Sequence, residues 1–74
     1  MDWRNNISFE PGKLGGKACI RGMRMSVADI LDYLASGMSE DEILKESSYL
    51  KPDDIRACLA YAADPDRRRK LFAA

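Results

Sequence analysis

The segment Gly15–Val27 constrains this chain more than any other. It places three glycines (Gly15, Gly16, Gly22) and three cations (Lys17, Arg21, Arg24) in a short strand-like run that leads straight into a helix start. Glycine serves where the backbone needs positive φ or a close approach. Ala18-Cys19-Ile20 and Met23-Arg24-Met25 flank Gly22. That pattern predicts two short strands, or one strand and an extended arm, joined by a tight turn. Ile7-Ser8-Phe9 is a further short alternating run, set off by turn residues at Pro11-Gly12. A lone hairpin is marginal in water, so these strands should pack on helices or pair with another chain. Trp3 falls in a polar terminus expected to be mobile.

From Ser26 the apolar period becomes helical. Val27, Ile30, Leu31 and Leu34 form one stripe, Ser26 is placed to cap, Asp29 suits the positive helix end, and Gly37 is a natural stop. Ser39-Glu40-Asp41-Glu42 is a capping box that opens a second, short helix ending near Ser47, with Met38 placed to staple onto Ile43 or Leu44. Pro52, Asp53 and Asp54 open a third helix, whose predicted inner stripe is Ile55, Cys58, Leu59 and Ala62. Three short helices joined by tight turns predict a mainly α, trihelical, helix-turn-helix-like domain with a short N-terminal β element. It is expected as one domain over 1–64, with strands or arm in 1–25 and helices in 26–64, followed by a basic segment over 65–74.

Seventy-four residues support only a small core, which favours a binding module over an enzyme with a deep, water-excluding site. Histidine is absent, which removes the commonest general base and the usual nucleophile pairs. Cys19 and Cys58 lack metal or redox spacing and read as buried small hydrophobes. No metal, cofactor or catalytic residue is expected. Neither a transmembrane run nor a signal-peptide pattern is visible, so a bacterial-type cytoplasmic protein with no membrane partner is expected.

The charges sum to zero but are segregated. Residues 1–25 carry five cations against Asp2 and Glu10, residues 26–66 carry three against ten acids, and Arg67, Arg68, Arg69 and Lys70 are all positive. Basic arms therefore flank an acidic body. Lys17, Arg21 and Arg24 are candidate nucleic-acid contacts through phosphate or bases. The alternative for Arg21 is an ion pair with an acid of the body, such as Asp29 or Asp32, that locks the hairpin down. Asp53 and Asp54 would repel phosphates, so ordinary insertion of the third helix into a groove is disfavoured. Arg67, Arg68, Arg69, Lys70, Leu71 and Phe72 form a candidate partner-binding segment, or simply a solvated tail. Glu40, Asp41, Glu42 and Glu46 are explained by capping and exposure, and Tyr61 by packing at the core edge.

Gly15-Gly16-Lys17, Ile20-Arg21-Gly22 with Arg24, Met25 and Val27, then Ile30-Leu31, Gly37 with Ser39, Glu42-Ile43-Leu44, and Leu50, Pro52, Asp54-Ile55, Leu59 and Tyr61-Ala62 occur in a distinctive order. Over about Ile7 to Ala62 this order resembles the small bacterial domain-of-unknown-function family four-three-three. The family pattern usually has proline where Ala18 stands, threonine and proline where Met23 and Met25 stand, and a capping threonine where Lys51 stands. The resemblance implies a trihelical fold grouped with homeodomain-like and winged-helix-like units. It also implies an antitoxin role beside a PIN-like nuclease toxin, with possible repression of its own operon through operator DNA and homodimerisation through the N-terminal strands. In that setting Arg67–Phe72 would reach the acidic, metal-binding carboxylates of the toxin. A free-standing DNA-binding transcriptional regulator using the basic N-terminal arm is the alternative.

Overall fold

The computed structural model describes residues 2–66. A 3-10 turn over Trp3–Asn5 leads into strand β1 (Ile7–Ser8), and a second 3-10 turn, Leu14–Gly16, precedes β2 (Cys19–Ile20). Helices α1 (Val27–Ala35), α2 (Glu40–Glu46) and α3 (Pro52–Ala63) follow. The architecture is three helices with a short N-terminal β element.

The strand expected at Ala18–Ile20 pairs with the early run rather than only with its own return. β1 and β2 are antiparallel, with Ile7 opposite Ile20 and Ser8 opposite Cys19. The chain then reverses at once. Met23 donates its amide to the Ile20 carbonyl at 2.8 Å, and the two central residues, Arg21 and Gly22, have φ of +43° and +73°. This tight turn fills the first half of a four-residue loop, Arg21–Arg24, closed by the bond from Ile20 N–H to the Met25 carbonyl, and glycine at its second central position takes the positive φ without steric cost. The returning arm stays extended rather than forming a full second strand. It is tied by Ile20 N–H to the Met25 carbonyl, by Val27 N–H to the Ala18 carbonyl, and by a Cys19–Ser26 bridge.

Each helix is bounded by local chemistry. Ser26 Oγ accepts the Asp29 amide while Asp29 Oδ2 accepts the Ser26 amide, a complete capping box that hands the hairpin over to α1. α1 ends in a Schellman motif, with Met38 N–H on the Tyr33 carbonyl, Gly37 N–H on the Leu34 carbonyl and Gly37 at φ +100°. Ser39 and Glu42 repeat the capping box at α2, where the Ser39 amide, and after it the Ser39 hydroxyl, hold the Glu42 carboxyl below its usual range. At α3 the residue before the helix is Lys51, which offers no capping oxygen. Asp54 reaches back instead and accepts the Lys51 amide at 2.8 Å.

The core lies between the β element and all three helices, built on Ile7, Ile20, Val27, Ile30, Ile43, Leu50, Ile55 and Cys58. Two expectations need correction. Trp3 is not in a mobile end: it is only 4% exposed and packs edge-on against Tyr61, with ring centroids 4.8 Å apart. Its indole N–H donates to Asp64 at 2.9 Å. The inner face of α3 is also rotated from the stripe read along the sequence. Asp54, Ile55, Ala57 and Cys58 are buried and Tyr61 is partly so, whereas Leu59 is 46% exposed and Ala62 lies at the surface.

Candidate functional site

The turn at Arg21–Gly22 carries Arg21 onto the start of α3, where it meets Asp54. The Asp54 side chain is fully buried and accepts four hydrogen bonds. Oδ1 accepts Asn6 Nδ2 at 3.0 Å and Arg21 Nε at 2.9 Å; Oδ2 accepts Arg21 Nη2 and the Lys51 amide, both at 2.8 Å. Arg21 Nη2 also donates to the Tyr49 carbonyl at 2.9 Å. Burial alone would push the Asp54 carboxyl up. The bonds from Arg21, Asn6 and the Lys51 amide, with the charge of Arg21, reverse this and hold it below the usual range. Arg21 therefore pairs with an acid of the body, and that acid is Asp54. Asp29 is committed to the Ser26 cap, and Asp32 lies exposed on α1.

The three candidate cations do not form one patch. Lys17 lies beyond the Ala18–Val27 end of the hairpin, while Arg21 and Arg24 lie at the turn, roughly 13 Å away along an extended strand. Lys17 and Arg24 are both exposed and make no side-chain ion pair among the described residues. Lys13 bonds to Glu10 at 2.7 Å and to the Gly22 carbonyl, which ties the loop before β2 to the turn. Arg67, Arg68, Arg69, Lys70, Leu71 and Phe72 lie outside the described residues.

Burial of Asp54 changes the electrostatics of α3. Two exposed carboxylates were expected at its first turn, and one of them is internal and neutralised. Asp53 remains at the surface between the exposed Lys51 and Arg56. The outward side of α3 then runs through Arg56, Leu59 and Ala63, mixing one cation with apolar surface. Tyr33 and Tyr49 are exposed beside a shallow cleft over α2 that Met25, Met38 and Glu46 also line.

Both cysteines are buried free thiols, and desolvation, with the nearby Asp54 charge, pushes Cys58 up to about 12. Among the described residues no group of three or more His, Cys, Asp or Glu is placed to hold a metal ion. None of their helices is long and apolar enough to cross a membrane. The residues that reading along the chain missed are Asn6, Trp3 and Asp54. Asp54 carried one usable signal: it stands three residues after Lys51, where an acid can replace a missing cap.

A trihelical domain with a β hairpin latched to its third helix by a half-exposed arginine on a buried aspartate defines the class. Residues 7–62 match the family described as "Protein of unknown function (DUF433)", and this chain belongs to it. A DUF433 member protein from Anabaena variabilis, solved by crystallography, is similar at 29% identity with a TM-score of 0.76, over 96% of this chain and 71% of that one. The uncharacterized protein y4eO of Sinorhizobium fredii is 35% identical over 71 residues, covering 93% of this chain. This chain spans 32% of that relative's length.

Proposed function

We propose that this protein is a non-catalytic, cytoplasmic binding module of the antitoxin kind, which holds and neutralises a PIN-like nuclease toxin. The observation that supports a protein partner is the outward side of α3. Where a helix-turn-helix protein would present cations and base-reading groups, this helix presents Arg56, an exposed Leu59 and Ala63. Such a surface gains more from apolar burial against a protein than from phosphate contact. The run Arg67–Lys70 followed by Leu71 and Phe72 supplies cations suited to the carboxylates of a metal-dependent nuclease. Self-association through the N-terminal strands and repression of the operon belong to the same proposal.

Co-expression with the product of the adjacent reading frame, followed by co-purification and an RNase assay, tests it. Complex formation and inhibition are expected, with loss of inhibition when Arg67–Lys70 are replaced by serine and at least about ten-fold weaker binding for Leu59→Glu. Absence of both complex and inhibition refutes the proposal. A second reading, duplex DNA binding, rests on Lys17 and Arg24, which stay exposed and without ion pairs among the described residues. It requires salt-dependent binding that falls when both are replaced by alanine.

A further inference from the structure

A cleft of about 410 Å³ opens where the start of α1 meets the last turns of α3. Val27, Ala28, Leu31, Tyr61 and Ala62 line it, and among the described residues Lys17 contributes the one charged side chain of that lining. Ser26 also lines it, with its hydroxyl already engaged by the Asp29 amide. The cleft thus offers apolar contact inside and one positive charge outside. Its volume lies at the low end for ligand pockets. That suits one or two branched or aromatic side chains.

Three features select the occupant. Lys17 is exposed with no ion pair among the described residues, so an incoming carboxylate meets a free partner. The start of α1 forms one wall, and its positive end already holds the Asp29 carboxylate, so the charge offered to an incoming acid is that of Lys17. Leu59 lies three residues before Ala62 on α3, which extends the apolar surface past the cleft.

We infer that this cleft seats an apolar anchor residue of a protein partner, with an acidic residue beside the anchor paired to Lys17. The inference rests on the partner-binding reading above and gives that partner a chemical signature: leucine-like or aromatic side chains flanked by glutamate or aspartate. A contact of this kind gains its affinity from the buried anchor and its selectivity from the charge at the rim.

The test is a titration of the isotope-labelled full chain, followed by amide NMR shifts. The probes are a capped tetrapeptide with two leucines flanked by glutamates, the same peptide flanked by lysines, and hexanoate. Shifts confined to Ala18, Val27, Ala28, Leu31 and Ala62 are expected with the acidic peptide, and roughly five-fold weaker binding with the basic one. Lys17→Glu should reverse that preference. Ala62→Phe, made at an exposed helix position, should abolish binding of both peptides while leaving the circular dichroism unchanged. Shifts elsewhere, equal affinity for the two peptides, or hexanoate binding as tightly as the acidic peptide each overturn the inference. A failed titration beside successful capture of the toxin removes the cleft and leaves the partner-binding reading standing. A successful titration without capture does the reverse.

Discussion

Replacing Arg21 with methionine isolates the interaction that holds the N-terminal hairpin to α3. The substitution keeps most of the aliphatic stem and removes the guanidinium. Asp54 then loses two of its four hydrogen bonds and its only ion-pair partner, while the Tyr49 carbonyl loses the Arg21 donor. Breaking a buried pair from one side costs about 3–5 kcal/mol, because the other charge stays buried and uncompensated. The Arg21 side chain is 34% exposed, so water reaches the gap and lowers the expected loss to about 2–3 kcal/mol. A domain of this size has roughly 4–11 kcal/mol of stability in all. The melting temperature should therefore fall by about 10–20 °C. Urea unfolding followed through Trp3, the single tryptophan and a buried one, gives the free energy directly. Arg24→Met is the matched control: it removes the same charge from an exposed position of the same hairpin and should change stability by less than about 0.5 kcal/mol. If the two variants unfold within 0.5 kcal/mol of each other, by this same order-of-magnitude scale, the latch does not exist as described.

The pH dependence gives a second, independent readout. In the native protein the Asp54 carboxyl is held below its unfolded value of about 3.9, so its contribution is complete above that pH and is lost as pH falls through the lower, folded value. The expectation for the variant is that burial, the largest single influence on Asp54, outweighs the remaining bonds from Asn6 and the Lys51 amide, so that the folded value rises above the unfolded one. The folded variant then binds the proton more readily than its unfolded chain, and acid relieves the buried charge. The stability gap between native and variant protein should therefore narrow between pH 7 and pH 4. A gap that stays constant over that range would falsify desolvation of Asp54 as the cause.

The remaining predictions concern the rest of the latch and the core. Trp3→Phe keeps the ring contact with Tyr61 but removes the bond to Asp64; circular dichroism in urea should show a loss of about 1 kcal/mol, and no loss would mean the indole N–H is better served by water. Gly22→Ala should cost roughly 1 kcal/mol through its φ of +73° alone, since the nearest atom to the added carbon is Glu10 Oε2 at 3.8 Å. Cys58, fully buried and pushed up to about 12, should resist alkylation at pH 8 until the chain opens, so its labelling rate should rise with urea in step with unfolding; fast labelling of the native protein refutes this.

Much of the helical frame was legible because its signals are local. The Ser26 cap, the Ser39–Glu42 box and the stop at Gly37 each act within a turn, and each occurs in the structure; that Asp29 closes a full box with Ser26 goes beyond what its place in the first turn announced. The inner face of α3 was not legible in the same way. Its buried row begins at Asp54, and apolar periodicity passes over an aspartate, so the stripe was placed one residue late and drew in Leu59 and Ala62. Trp3 was misplaced because its contacts, Tyr61 and Asp64, come from the far end of the chain. Pairing of Ile7 with Ile20 escaped for a related reason: a two-residue strand carries almost no period to read.

Long-range contacts also join the basic hairpin to the acidic helices. Arg21 could be paired with any of ten acids, but only Asp54 is both buried and left to finish a cap that Lys51 cannot make. That single carboxylate joins the 3-10 turn through Asn6, the hairpin through Arg21 and the α3 start through the Lys51 amide. At the other end of α3, Asp64 holds Trp3. The N-terminal segment is thereby clamped at both ends of the third helix, and the hairpin beyond it inherits a fixed position. The paired cation, Arg21, is the structural one. Lys17 and Arg24, carried on the same hairpin, stand exposed at positions set by the clamp, so the binding proposed for them would not first have to order a free arm.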